Sequence, residues 1–267
     1  MRAASLPSSM NPSSIADKQT ADGVYDRTEH VLETIEDLGP TNLVTIGGDD
    51  TLSFSSVLFE HGLPLIAIPK TMDNDVPGTE YCIGFSSAVT RATELIDRQR
   101  TTLGSHERIG VFRICGRGAE FTALCTADVT STRCLIPEGP YDLEALAELL
   151  KQDHDNNPSR YAMVITAEGA IWDGAVVADV GEPDMLDSMV ATTLANVAMD
   201  LIRDGIGGRM VAIRDGKYSH VSLAETAKHA RRVDASAAYD ADRFRPTYSE
   251  RLGHPLPLTP SLEALPG

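Results

Sequence analysis

Short apolar runs alternate with amphipathic stretches along most of this chain, and the alternation predicts strands and helices in turn. Val31, Leu32, Ile35 and Leu38 recur at helical spacing, and Gly39-Pro40 stops that helix. Leu43-Val44-Thr45-Ile46 reads as a short buried strand running into Gly47-Gly48. Asp49-Asp50-Thr51 then offers capping chemistry for a helix that ends near Gly62. Leu65-Ile66-Ala67-Ile68 is the next strand and runs into Pro69-Lys70-Thr71. The pattern continues with a helix over Ser86 to Gln99, a strand over Ile109 to Ile114, and a helix opened by Asp142. Tyr161 to Ile165 reads as a strand ending at Thr166-Ala167-Glu168-Gly169, and Asp184 to Arg203 as a long helix. Met210 to Val221 folds back on itself around Asp215-Gly216, a hairpin signal. Strand and helix in turn mean an α/β fold with mostly parallel sheets. Residues 1–23 read as an irregular lead-in, and the Pro-rich stretch after Tyr239 as a wrapping tail.

Composition narrows the classes. The chain has 267 residues, 42% hydrophobic and 23% charged, enough for one large domain or two lobes. Lys plus Arg total 23 against 39 Asp plus Glu, a net charge of −16. That surface repels nucleic acid and anionic membranes, so neither is expected as a partner. Apolar runs such as Leu63 to Ile68 are far too short to span a bilayer, and the Ser- and Pro-rich start lacks the apolar core of a secretory signal. A cytoplasmic location is expected. Cys82, Cys115, Cys125 and Cys134 form no paired motif and have no neighbouring His cluster, which reads as reduced, mostly buried thiols.

The candidate chemistry lies just past two strand ends. Gly47-Gly48 lets a backbone approach an anionic group, with free amides at the following helix start. Neither the P-loop nor the dinucleotide glycine pattern occurs. Four carboxylates, Asp49, Asp50, Asp73 and Asp75, fall on two neighbouring loops, with Lys70 between them. Like charges on one sheet edge are unfavourable unless a cation neutralises them or one holds a proton. A divalent ion bridging phosphate oxygens meets that need, and a carboxylate of raised pKa serves as a general base toward a hydroxyl. A solvated acidic rim capping two helices is the other reading of the same residues.

The pairing of Gly47-Gly48-Asp49-Asp50-Thr51 with the run from Pro69 to Phe85 (PKTMDNDVPGTEYCIGF) resembles the catalytic core of the phosphofructokinase family. Ser105-His106-Glu107-Arg108, Cys115-Gly116-Arg117, Ile136-Pro137-Glu138 and Thr166-Ala167-Glu168-Gly169 resemble further family elements in the family's order. The resemblance runs from about residue 25 to 180 and resumes from about 184 to 252. It implies two Rossmann-like lobes: residues 1–107 with 184–252 on the donor-phosphate and metal side, 108–183 on the sugar-phosphate side, and 253–267 as a tail. It also implies an in-line transfer of a phosphoryl group to the 1-hydroxyl of fructose 6-phosphate. Asp73 would take the hydroxyl proton, and Asp49 would hold Mg2+. Gly47 and Gly48 would form the phosphate loop. Thr71, Asp75, Cys115, Gly116, Arg117 and Glu168 would line the sugar-phosphate side. Arg108 would reach a neighbouring subunit's 6-phosphate, which implies a homo-oligomer, a dimer or tetramer. Relatives that use ATP typically have glycine at the positions of Asp50 and Lys70. A carboxylate at Asp50 would repel the α-phosphate, and Lys70 would hold the transferring or leaving phosphate, so inorganic pyrophosphate is the expected donor.

The sequence departs from the pattern in three places. Similarity begins at Ser8-Ser9-Met10-Asn11-Pro12, and no strand ahead of it supplies the opening glycine-rich loop, so the first lobe is expected to lack its opening strand. The family's HxQRGG stretch is missing between Gly169 and Pro183, an internal shortening. Gly118-Ala119-Glu120-Phe121 replaces the usual continuation after Cys115-Gly116-Arg117. An acidic half of the site kept and an anion-holding half reduced predict weak or absent turnover for the chain alone. Two alternatives stand beside the enzyme reading. One is an inactive remnant or subunit that binds sugar phosphate or a partner subunit. The other is an enzyme like the NAD or lipid kinases, which share a GGDGT-like motif but not the PKTMDND partner. The scattered histidines read as surface groups, and Arg231-Arg232, Arg243 and Arg245 as solvated or inter-lobe residues rather than ligands.

Overall fold

The computed structural model describes residues 17–20, 23–26, 28–114, 121–137, 139, 142–170, 176–177, 184–228 and 230–247. Tertiary contacts divide the chain into two units. The first comprises residues 1–71, 76–79 and 189–230; the second comprises 72–75, 80–188 and 231–267.

The first unit opens with a hairpin, β1 (Asp17–Thr20) and β2 (Gly23–Asp26), followed by α1 (Thr28–Leu38). Gly39 at φ 62° accepts the left-handed conformation that ends α1, as Gly39-Pro40 predicts. β3 (Leu43–Gly47), α2 (Asp49–Glu60) and β4 (Leu65–Pro69) form a strand–helix–strand unit with parallel strands. Every residue of β4 is buried, the signature of a central parallel strand. Helix α2 packs over β3 and β4 and sinks Leu52, Phe54 and Leu58 into the core. Each of those side chains contributes roughly 2–3 kcal/mol of apolar burial.

The second unit carries α3 (Phe85–Ser105), β5 (Ile109–Ile114), α4 (Phe121–Thr130), β6 (Arg133–Leu135), α5 (Leu143–Asn156), β7 (Ala162–Ala167) and β8 (Val176–Val177). Its sheet is parallel throughout, in the order β6-β7-β5-β8. Asp142 caps α5 as its position predicts, accepting from the Glu144 and Ala145 amides at 2.9 and 3.2 Å. Helix α3 runs six residues further than the periodicity indicates, to Ser105. The elements α4, the three-residue β6 and the two-residue β8 were not read from the sequence, and the hairpin of β1 and β2 occupies part of the stretch expected to be an irregular lead-in.

The helix α6 (Met185–Arg203) crosses the boundary between the units, which falls after Ser188. Among the described residues it is long and apolar enough, by length and composition, to cross a membrane. It nevertheless carries Asp187 and Asp200, and Val190, Leu194, Ala198 and Leu201 recur as a buried stripe. That pattern belongs to a helix packed along one face.

β9 (Arg209–Arg214) and β10 (Lys217–Ser222) complete the first unit's sheet, ordered β10-β9-β4-β3 with only β10 antiparallel. Asp215 and Gly216 turn the hairpin with φ of 50° and 67°, the mirror-image turn their sequence calls for. Among the described residues β3 is an edge, paired with β4 alone. The chain closes in the second unit with α7 (Ala235–Ala238), β11 (Tyr239–Asp240) and β12 (Arg245–Pro246). The sequence predictions of an α/β fold and mostly parallel sheets therefore hold.

Candidate active site

In the first unit, two loops leave neighbouring parallel strands at one level. Gly47 and Pro69 are register partners, and the Lys70 amide donates to the Gly47 carbonyl at 2.8 Å. Gly47-Gly48-Asp49-Asp50 and Lys70-Thr71 thus share the carboxyl edge of the sheet, where open parallel sheets bind ligands. The cap of α2 corrects the sequence expectation. Gly48 is the N-cap, with no side-chain cap bond, while Asp49 and Asp50 sit inside the first turn. There the carboxylates complement the helix dipole rather than cap the helix.

Each glycine has a different task. A Cβ at Gly47 would collide with the side chain of Thr51, whereas one at Gly48 would lie 3.5 Å from Thr71 Cβ in ordinary contact. Gly47 is therefore needed for packing, whereas a methyl group at Gly48 would be accommodated against Thr71 and the Lys70 carbonyl. Lys70 is exposed, and Asp49, Asp50 and Thr71 are half-buried.

In the second unit, the segment Met72-Asp73-Asn74-Asp75 is tied down on both sides of Asp73. Asn74 is fully buried at φ 54°, a conformation asparagine tolerates better than most residues. Its side-chain oxygen accepts from the Cys82 amide at 2.8 Å, and its nitrogen donates to the Glu80 carbonyl at 3.2 Å. The Thr122 hydroxyl donates to the Met72 carbonyl at 2.6 Å, and the Arg231 amide donates to that of Asp75 at 2.7 Å. Thr122 opens a hydroxyl ladder on α4: Thr126 and Thr130 donate to the carbonyls four residues back, at 2.7 and 2.6 Å. Those back-bonds satisfy hydroxyls inside a helix buried on nearly every side.

Glu168 follows the end of β7, and the Arg113 guanidinium donates to its carbonyl at 3.2 Å. Arg108 stands at the other end of the same sheet, exposed, where β5 begins. About six strand residues, roughly 20 Å, separate it from the end of β5 that lies in register with the start of the Glu168 turn. Glu168 and Arg108 are therefore not brought together within one chain. Cys115, Gly116 and Arg117 lie outside the described residues, as does most of the shortened stretch between Gly169 and Pro183.

Three residues that the sequence reading did not select hold this framework: Arg113, Thr122 and Arg231. A cation inside an otherwise apolar strand was the available signal for Arg113, and threonines at intervals of four were the signal for Thr122. Cys82, Cys125 and Cys134 are buried and in no disulfide, in keeping with the expected reduced thiols. Burial, reinforced by Asp128, pushes the Cys125 thiol up to about 12. It is a packing residue, not a nucleophile.

Among the described residues no three His, Cys, Asp or Glu side chains gather as a metal cage. Mg2+ held between phosphates needs only one or two carboxylates and keeps several waters, so half-buried Asp49 in the first turn of α2 fits that mode of binding.

The phosphofructokinase family model matches residues 10–202. An ATP-dependent 6-phosphofructokinase of Bacillus licheniformis is 31% identical over 228 residues, covering 78% of this chain and 71% of its own length. One from Ligilactobacillus salivarius is 32% identical over 245 residues, covering 83% and 76%. Among solved structures, a pyrophosphate-dependent phosphofructokinase from Marinobacter aquaeolei superposes with a TM-score of 0.70 at 20% identity, covering 87% of this chain and 72% of that one. Phosphofructokinase from Saccharomyces cerevisiae gives 0.63 at 18% identity, covering 82% and 40%. With the family model spanning most of its length and relatives above 30% identity, this chain belongs to the phosphofructokinase family.

Proposed function

We propose that this protein transfers a phosphoryl group from inorganic pyrophosphate to the 1-hydroxyl of fructose 6-phosphate, and that Asp50 and Lys70 select the donor. The observation that carries the reading is their placement on one sheet edge, in the loops that follow register partners Gly47 and Pro69. The relatives' names include both ATP- and pyrophosphate-dependent enzymes, and these two side chains favour the second donor. A nucleotide's α-phosphate would meet the Asp50 carboxylate, whereas pyrophosphate ends short of it and gains the Lys70 ammonium.

The remaining roles follow the family pattern. The amides around Gly47 and Gly48 receive the donor's oxygens, and Asp49 holds Mg2+ through phosphate. Mg2+ held by Asp49 would supply positive charge against the transferring group. Asp73 takes the proton from the attacking hydroxyl, and Thr71 and Asp75 support the transfer and the sugar. Glu168, with Cys115, Gly116 and Arg117, contacts the sugar phosphate. Residues 1–107 with 184–252 serve the donor and 108–183 the sugar. Arg108, exposed and remote from Glu168, serves a neighbouring subunit in a homo-oligomer. The protein works in the cytoplasm, without nucleic-acid or membrane partners.

A coupled assay of the purified protein with fructose 6-phosphate, Mg2+ and either donor tests the reading. Slow turnover with pyrophosphate is the expected result. Turnover with ATP alone would overturn the donor assignment. Fructose 6-phosphate binding by calorimetry with no turnover from either donor would establish the inactive-subunit alternative.

A further inference from the structure

Arg231 and Arg232 are adjacent cations with different surroundings. Arg232 is exposed, while Arg231 is half-buried with its guanidinium carbon 4.5 Å from the centre of the Phe121 ring. Phe121 is itself buried at the start of α4, one residue before Thr122. That ring gives a planar cation a fixed seat. Burial draws the Arg231 pKa down, opposed by Cys82 and then by the carboxylates of Asp75 and Glu80, yet a guanidinium stays protonated throughout the working range. The backbone of the same residue donates to the Asp75 carbonyl at 2.7 Å.

Asp73, Asp75 and Glu80 crowd three carboxylates into one short stretch, and Glu80 is buried. Such a group repels itself unless a cation stands beside it. One end of the segment is tied by Thr122, the middle by Asn74, and the far end by Arg231.

We propose that Arg231 is a positioning residue for the loop bearing Asp73 and Asp75: its amide anchors Asp75, and its ring-seated guanidinium balances the loop's negative charge. This inference rests on the functional reading above. It makes Arg231 act through the loop, without touching substrate itself.

The test compares kcat and KM for fructose 6-phosphate in the wild type, R231Q, R231K and R232A, with melting temperature recorded for each. R231Q removes the charge but keeps a long polar chain that a folded protein tolerates. Its kcat should fall roughly 10- to 100-fold, as a displacement of about 1 Å at a reacting group costs, while KM changes less than about threefold. R231K should recover part of kcat, and R232A should match the wild type. An unchanged kcat in R231Q overturns the proposal, and so does a loss that R231K shares in full or that only tracks the folded fraction. Absence of turnover in the wild type defeats the functional reading instead. Exchange of the Cys82 amide then decides the loop-holding role: faster exchange in R231Q supports it, and unchanged protection overturns it.

Discussion

The Asp187 carboxylate holds the first turn of a helix that begins a hundred residues earlier: one oxygen accepts from the Ser87 amide at 2.9 Å and from the Ser87 hydroxyl. The other oxygen accepts from the Gly84 amide at 2.8 Å and the Tyr81 hydroxyl at 2.6 Å. Asp187 is almost fully buried, yet four donors converge on it. Helix α3 has a glycine at its N-cap, which supplies no side chain of its own. A carboxylate from a distant part of the sequence takes that place.

Asp187 should therefore govern stability. D187A leaves two backbone amides and two hydroxyls without their acceptor, at a cost of roughly 3–5 kcal/mol. The dependence on pH has a definite sign. Burial acts to raise the Asp187 pKa, but the hydrogen bonds from Ser87, Tyr81 and Gly84 outweigh it and hold the pKa below the usual aspartate value. The contribution is fully present above the unfolded pKa, near 4, and is lost as pH falls through the lower folded value. Urea unfolding of wild type and D187N at pH 7 and pH 3 measures it. The gap between the two proteins should narrow at pH 3.

Gly47 and Gly48 should separate folding from function. G47A forces the Thr51 side chain to move and lowers the melting temperature, whereas G48A meets only ordinary contacts. If phosphate lies against Gly48, G48A keeps its melting temperature within about 2 °C and weakens pyrophosphate use at least tenfold. Equal activity in G48A and wild type would remove the phosphate loop from this position.

Donor choice should move with two side chains. If Asp50 faces a nucleotide's α-phosphate as proposed, replacing Asp50 and Lys70 together by glycine raises kcat/KM for ATP by about tenfold or more. Melting curves of the double variant should stay near the wild type, since Lys70 is exposed and Asp50 half-buried. An ATP rate unaltered by the change would sink the assignment.

Among the described residues, Arg133, itself buried, makes a two-pronged ion pair with the half-buried Asp153. Its guanidinium donates to both oxygens of Asp153, at 2.6 and 2.8 Å, and to the Arg243 carbonyl at 2.6 Å. D153A would leave a buried guanidinium with part of its donors unmet, costing roughly 1–3 kcal/mol because solvent reaches the Asp153 side of the pair. R133M should cost less, because an apolar chain of similar length removes the charge as well as the bonds. Chemical denaturation midpoints of the two variants give the order directly.

The strand ends were legible from short reasons. Leu43 to Ile46 and Leu65 to Ile68 are apolar runs too brief for helices, each stopped by Gly or Pro, and their loops are the motif-bearing ones. Helix α4 was not legible. Phe121 to Ala127 is buried at every position, so no polar face exists to generate a 3.6-residue rhythm. Strand β6 has three residues, below the length at which alternation can register. The capping of α2 is not legible because Asp is a favoured cap, whereas here Gly48 occupies the cap and both aspartates lie inside the helix. Arg231 escaped notice because a doublet of arginines in sequence carries no sign of which one turns inward onto a ring.

The buried thiols give the protein an internal chemical reporter. Cys82 donates its amide to Asn74 and is sealed from solvent under the segment that carries Asp73, while Cys125 lies within α4. An alkylating reagent can reach either only when its surroundings open. The rate at which Cys82 is modified in otherwise native protein therefore clocks the opening of the loop, and that of Cys125 separately clocks the opening of the helix that carries the hydroxyl ladder.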